Sequence, residues 1–581
     1  MTQPASSNRT RNTTPDLTSA NWAPDEGKNA LAAQLRMREI AGHATGENGA
    51  VTVAFGPYAA RAGLEALKQG GTAADAALTT ALAQVALTAG GPISYFGIMS
   101  LVYFDAQTGT THTMNAEWNT VAGESDPMSI PGGLDFSSPD ALRGAGEPSG
   151  RTALVGGFLK GVEAAHTRFG TLPFASLFQP AIEVAEHGVP VSSFLAKDLA
   201  FRAPDLNRLP ATREIFLKPD GAPYTEGETL CQPKLAETLR RIAAEGTDYI
   251  YGGEWGRKLV DAVQVDGGKM TLADLTDYDV IWSDALHAPI GNGYTVATAP
   301  HPNFGGTALI EAQNLADVAG LGQGPHWTQS ADTLRTAVNI AAVASAFSSE
   351  ESLAATFPGI DFSPESRVTR AHAEKLWKLI NEHHTAVPWK QTSPMHSDDV
   401  VAVDNRGNIA AITHSINCVL WGKTAINIDG ISIGDPASFQ QELIARTSPG
   451  ERLPAPTETG ILFKDGKATL GFASMNVGLH EKTFQCLLNH THFGMTVEES
   501  INTPDFFAPQ IDLTTGELIL NVPAGKFDHD ILNGTGYAWR ELSVDDARMG
   551  EGIWIAIERD PTTGSVQAAS HNRTNSDAHA Y

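Results

Sequence analysis

Ser397, Asp398 and Asp399 head a β-type run, Val400-Val401-Ala402-Val403, and a second run from Ile409 ends in Thr413-His414-Ser415-Ile416-Asn417. Between them Asp404-Asn405-Arg406-Gly407-Asn408 reads as the turn of a hairpin. Pairing Asp404 with Asn408 leaves a three-residue loop with Gly407 where a left-handed residue is wanted. That register sets Ser397 opposite Ser415. Side chains alternate along a strand, so Thr413, Ser415 and Asn417 share the face that carries Ser397 and Asp399. The hairpin therefore has a hydroxyl-rich polar face, and a serine hydroxyl served by a nearby base is a nucleophile toward acyl groups. His414 falls on the other face, which argues against a Ser-His-Asp arrangement with Asp398 or Asp399.

This hairpin resembles that of the γ-glutamyltransferases and related acylases, a family of N-terminal nucleophile (Ntn) hydrolases. The shared features are a Val-rich first strand, a D-x-x-G-N turn and a second strand closing in hydroxyl-x-Asn. The resemblance implies that a precursor cuts itself between His396 and Ser397. Ser397 would be the nucleophile, Ser415 the second hydroxyl of a dyad and Asn417 a substrate-holding amide. The freed α-amine of Ser397 titrates near roughly pH 8, so its neutral fraction can serve as base to its own hydroxyl. The implied fold is an α/β (α+β) four-layer αββα sandwich, with no cofactor and no metal.

Other family positions are altered. The segment expected to carry a carboxylate-clamping Arg reads Met114-Asn115-Ala116-Glu117-Trp118-Asn119, so Glu117 and Trp118 are the substrate-side candidates and Glu117 would repel a carboxylate. The acidic residue that receives a substrate amine falls near Ser438, with Asp435 as a substitute. The family's Ser-Ser pair falls on Ala455-Pro456. The glycine pair of the oxyanion hole falls on Asn476-Val477, whose backbone amides can still serve, with the Asn476 side chain as a further donor.

Further elements must hold these residues. Pro57 to Lys68 has helical spacing behind a Pro suited to a first turn, and Gly70-Gly71 ends it. An Ala-rich helix follows from Ala73 to about Val85, and small residues on both predict close packing. Another amphipathic helix runs from Gln232-Pro233 to Gly246. Gly305-Gly306 reads as a structural turn before a helix, and His166 as a structural histidine. In order and spacing, blocks from about residue 48 to 520 follow the family.

Composition bounds the rest. A net charge of -26 argues against nucleic-acid or anionic-membrane surfaces, which need clustered Lys and Arg. No run reaches about 18 apolar residues, so no membrane span is expected. Cys231, Cys418 and Cys486 are too far apart to suggest a disulfide framework or metal site, and a reducing, cytoplasmic setting is expected. Gly422-Lys423-Thr424 lacks the first glycine of a P-loop, and His383-His384 with His396 lacks the partners of a zinc site. Residues 1–45 read as a flexible extension, 46–396 as a large segment and 397–581 as a small one, the two pairing as a heterodimer after the cut, with higher oligomers open. The function implied is an autoprocessing hydrolase or acyltransferase of a small amide. The alternatives are a true γ-glutamyltransferase with relocated binding residues and a non-catalytic binding protein of the same fold.

Overall fold

The Asp404–Asn408 turn forms as the spacing predicts. Asp404 N donates to Asn408 O at 3.1 Å and Gly407 N to Asp404 O at 3.0 Å, with Gly407 at φ +88°, a conformation glycine adopts at little cost. The Asp404 carboxylate accepts from the Arg406 and Asn408 amides at 2.9 and 3.0 Å and from Asn408 Nδ2 at 2.7 Å. It also takes the Ala73 amide at 3.0 Å, at a helix N-terminus where a carboxylate satisfies an exposed N–H and faces the positive end of the dipole. One side chain thus closes the turn and docks it.

The computed structural model describes residues 14–132, 146–345, 350–383, 397–418, 420–512, 515–547 and 551–581. Two seven-stranded antiparallel sheets dominate them. In chain order their strands are β1 (His43–Gly46), β2 (Ala50–Val53), β3 (Ile98–Asp105), β4 (Thr110–Ala116), β5 (Ile281–Asp284), β6 (Leu286–Pro289) and β7 (Tyr294–Thr298). There follow β8 (Ser397–Val403), β9 (Ile409–Ser415), β10 (Glu458–Lys464), β11 (Lys467–Met475), β12 (Ile553–Arg559), β13 (Val566–Ala569) and β14 (Asp577–Ala580). The first sheet has the order β14-β2-β8-β9-β3-β4-β5 and the second β1-β13-β12-β11-β10-β7-β6. Each sheet takes strands from both sides of the 396–397 linkage.

The helices on and around these sheets include α1 (Glu26–Ala33), α2 (Pro57–Lys68), α3 (Ala73–Leu87), α4 (Gln179–His187), α5 (Pro233–Glu245), α6 (Gly305–Val318), α7 (Ala331–Ser345), α8 (Arg370–His383) and α9 (Leu479–Phe493). Helices α2 and α3 lie on the outer face of the first sheet, where Val400, Ala402, Ala410 and Ile412 join their core, with α4 packed on α3 and α5 on α4. Helices α6 and α9 cover the second sheet, with α7 and α8 packed on them. Between the sheets, Val401, Val403, Ile409 and Ala411 meet Ile461, Ala473, Ile555 and Ile557. Strand β8 is buried on both faces, which explains its unbroken Val-Val-Ala-Val run. The result is the four-layer αββα sandwich.

The predicted helices appear at Pro57–Lys68, Ala73–Leu87 and Pro233–Glu245. Thr72 and Asp75 form a capping box at the start of α3. Gly63 lets α2 approach α3 closely, since a Cβ there would lie 2.1 Å from Thr80 Oγ1.

The flexible extension expected over residues 1–45 does not hold for residues 14–45. Leu17 is fully buried and Trp22 is 7% exposed, with Trp22 against Tyr58 and under the Arg61 guanidinium. Arg61 also bonds Glu26 of α1, and β1 pairs with β13. Apolar anchors and ion pairs, among them Arg61–Glu26 and Arg38–Asp577, hold a segment whose composition is otherwise polar. Residues 1–13 lie outside the described residues. Trp22→Ala in an uncut Ser397→Ala background is expected to lose about 3 kcal/mol in urea unfolding. A loss under about 0.5 kcal/mol, the range of an unremarkable surface change, would contradict this packing.

Candidate active site

The register of β8 on β9 is Ser397↔Ser415, Asp399↔Thr413 and Val403↔Ile409, the pairing expected from the turn. Thr413 Oγ1 donates to Asp399 Oδ1 at 2.5 Å across the pair. Beyond β9 the register continues as Thr413↔Ser100 and Ser415↔Ile98, then Ser100↔Asn115. Two polar rows therefore run across the inter-sheet face at one end of the first sheet. Ser397 and Ser415 lie in the outer row, and Asp399, Thr413, Ser100 and Asn115 in the inner one.

The opposite face carries different chemistry. His414 Nε2 bonds Gln84 Oε1 at 2.9 Å and its ring stacks on Phe158; burial pushes its pKa down to about 3, so it is neutral. Asp398 accepts from the Phe55 and Asp399 amides. Neither points at Ser397, which removes the Ser-His-Asp alternative. Burial raises the pKa of Asp399 well above the ordinary carboxylate range, which favours the uncharged form of the acid beside Ser397.

At the end of β9 the chain turns through Asn417 at φ +45°, a left-handed state that Asn tolerates. The Asn417 amide donates to Ser415 Oγ at 3.0 Å, so the second hydroxyl of the expected dyad is held by backbone. The next residue, Cys418, receives the Asp435 amide on its sulfur at 3.3 Å, which ties the Asp435 loop to the hairpin. Asp435 Oδ2 takes the Lys423 amide at 2.8 Å, and burial raises its pKa. Ser438 N bonds back to Asp435 O at 3.1 Å. Ala437, in the same turn, packs with Ile98, Trp118 and Leu453. Since Ile98 pairs with Ser415, the turn that carries Asp435 and Ser438 sits beside the Ser397–Ser415 row.

Glu117 and Trp118 depart from expectation. Both are buried, at 1% and 2% exposure. Trp118 is part of the apolar cluster around Ile98, so it walls the site and shows no face to solvent. Glu117 Oε1 accepts from Ser100 Oγ at 2.6 Å, and burial raises its pKa to about 7. The fixed negative charge expected there is therefore half neutralised at neutral pH. Glu117 heads a polar cluster that sequence reasoning missed. Asn303 Nδ2 donates to Ser100 Oγ and Thr457 Oγ1 at 3.0 and 2.9 Å, and Asn115 Nδ2 to Asn303 Oδ1 at 2.7 Å. Arg452 bonds Asn115, Asn119 and the Asp279 carbonyl and lies 4.6 Å over Tyr278. Of these, only Ser100 carried a usable signal, since it continues the row from Thr413.

Across the interface, Thr457 immediately precedes β10 and touches Ser100 Oγ at 3.1 Å. Its neighbour β11 ends at Met475, and Asn476 follows at φ +72° to open the turn into α9. Gly478 N is engaged by Glu551 O and Leu479 N by Asn476 O. Among the described residues the Asn476 and Val477 amides have no acceptor. Two unengaged N–H groups in succession at the N-terminus of a 15-residue helix are suited to an oxyanion. His396 lies outside the described residues, and among those described no group of acidic, His and Cys side chains is placed to hold a metal ion.

A family model described as gamma-glutamyltranspeptidase matches residues 59–581. The chain is 27% identical over 531 residues to the glutathione hydrolase proenzyme of Bacillus subtilis (strain 168), covering 86% of each. It is 29% identical over 483 residues to the acylase ACY 1 proenzyme of Pseudomonas sp. (strain SE83), covering 79% of this chain and 82% of that one. Among solved structures, cephalosporin acylase from Bacillus halodurans superposes with a TM-score of 0.73 at 21% identity, over 93% of this chain and 97% of that one, a likeness of fold. With its sandwich, its hairpin register and a family match over most of its length, the chain belongs to the γ-glutamyltranspeptidase family.

Proposed function

We propose that this chain is an autoprocessing amide hydrolase and acyltransferase that works through an acyl-enzyme on Ser397. The observation that carries the reading is the register pairing Ser397 with Ser415 on the inter-sheet face. In the precursor Ser397 Oγ attacks the His396 carbonyl and the peptide C–N bond breaks. The nitrogen leaves as the Ser397 α-amine, and the His396 acyl group rests on Oγ as an ester. Water hydrolyses that ester, freeing the hydroxyl. The halves stay together because both sheets use strands from each.

In the mature site the Ser397 α-amine takes the Oγ proton as Oγ attacks the amide carbonyl of a substrate. The Asn476 and Val477 amides receive the developing oxyanion. The leaving amine departs with the proton, and water or an acceptor amine then attacks the acyl-enzyme. Relatives named glutathione hydrolase and acylase support amide chemistry.

The acyl group we favour is neutral or cationic. Arg452, a nearby cation, spends its donors on Asn115, Asn119 and Asp279, which leaves it poorly placed to clamp a carboxylate in the bidentate way an arginine does. Glu117 is a hydrogen-bond donor when protonated and a partner for a cation when ionised. The second reading, a true γ-glutamyltransferase, draws on the glutathione hydrolase relatives and would gain from brisk transfer of a γ-glutamyl group to a dipeptide.

Two measurements test these points. Purified protein should resolve by intact mass into two chains, the lighter beginning at Ser397, while Ser397→Ala stays whole. A single uncut chain with full amide turnover would refute the scheme. Burial pushes the Glu117 pKa up to about 7 from an ordinary 4.5, so the folded state holds its proton more tightly than the unfolded one. The stability this supplies is complete below pH 4.5 and is lost as pH rises toward 7, by about 3 kcal/mol at roughly 1.4 kcal/mol per unit. In the uncut Ser397→Ala background, the stability difference from the added Glu117→Gln change should shift by that amount between pH 4 and 8. A pH-independent difference would mean that Glu117 is not buried as described.

A further inference from the structure

Glu458 is the first residue of β10 and is fully buried. Thr457 before it faces Ser100 between the sheets, so by alternation Glu458 faces the helical layer. There it meets His480, 5% exposed, the second residue of α9. His480 Nδ1–H donates to Glu458 Oε1, the tautomer following from the acceptor carboxyl. Neither residue is used in the chemistry above.

The pair stands at the turn that carries the unengaged amides. Asn476, Val477, Gly478 and Leu479 separate β11 from His480. Among the described residues the turn is also tied by Ser474 Oγ to Leu479 O at 3.3 Å, Gly478 N to Glu551 O at 3.4 Å and Leu479 N to Asn476 O at 3.2 Å, and the start of α9 by Ser345 Oγ to Glu481 at 2.7 Å. The Glu458–His480 pair is the side-chain tie from the first turn of α9 to β10, the strand beside β11. Glu458 is fixed in turn, paired opposite Ser474 and backed by Gly305, where a Cβ would lie 2.9 Å from its Cγ and 2.4 Å from Thr457 O. The helix layer is thereby pinned to the strand whose preceding residue touches the Ser100 row.

We propose that Glu458 and His480 are positioning residues for acyl transfer, their buried pair holding the Asn476–Val477 amides at one height above the nucleophile row. The inference rests on the assignment of Ser397 as nucleophile. Donors aimed at a developing charge lose their effect when misplaced by about 1 Å, at a cost approaching 10²-fold in rate. A pair that only stabilises the fold would change the melting temperature and leave the rate alone.

The experiment uses the full chain, with p-nitrophenyl acetate as the acyl donor, and reads the acylation burst, kcat, KM and the thermal midpoint. His480→Phe fills the volume without the hydrogen bond, Glu458→Gln keeps an acceptor without the charge, and His480→Asn keeps an N–H near the Nδ1 position. His480→Phe is expected to slow acylation by about 10- to 100-fold and Glu458→Gln by about 10-fold, with KM within about twofold, in chains still cut at 396–397. His480→Asn should recover most of the loss. Unchanged acylation in both Glu458→Gln and His480→Phe, with only the midpoint lowered, would overturn the proposal. If His480→Phe does not fold, Glu458→Gln against His480→Asn makes the same decision. A burst that survives Ser397→Ala would instead refute the nucleophile assignment, a separate outcome visible in the same assay.

Discussion

The pairing of β8 with β9 is the constraint on which the rest depends. A strand repeats every two residues, so a slip of β8 by one would send Ser397 and Asp399 to the helical face and bring Asp398 inward. Asp404 guards against that slip. Its carboxylate closes the turn through Arg406 and Asn408 and takes the Ala73 amide of α3, so the hairpin is fixed in register and in position by one group. Every later placement, from Ser100 in β3 to Thr457 across the interface, inherits that register.

The inter-sheet layer changes character along its length. Over most of it Val, Ile and Ala side chains from both sheets meet, and the drive is burial of apolar surface. At the Ser397 end the same layer holds Asp399, Thr413, Ser100, Glu117, Asn303 and Thr457, all buried. Such groups are costly unless they are hydrogen-bonded and uncharged. The molecule meets the cost with the mutual bonds of the cluster and by favouring the uncharged form of Asp399 and keeping Glu117 near neutrality. A polar end on an otherwise apolar slab is where chemistry can occur without weakening the core. Because each sheet holds strands from both sides of residue 397, a cut there would leave the slab closed.

What the sequence disclosed follows from the range of the interactions involved. The hairpin, its turn and its register were legible because Asp404, Gly407 and the alternation lie within about twenty residues. Helices α2, α3 and α5 were legible from spacing and caps. The packing of residues 14–45 was not, because Trp22 and Leu17 owe their burial to partners distant in the chain. Asn303, Thr457 and Arg452 join the site through contacts spanning more than 150 residues, which no local pattern reports. Glu117 was found, but its charge state depends on burial and on Ser100, and a string of letters holds neither.

In the proposed scheme one residue, Ser397, carries the acyl group. Rapid quenching of the enzyme with an activated ester, followed by trypsin and peptide mass mapping, measures this directly. The added acyl mass should appear on the peptide from Ser397 to Arg406, with a free amino terminus at Ser397 before acylation. Turnover with that peptide unmodified, or with the acyl mass on another residue, would contradict it.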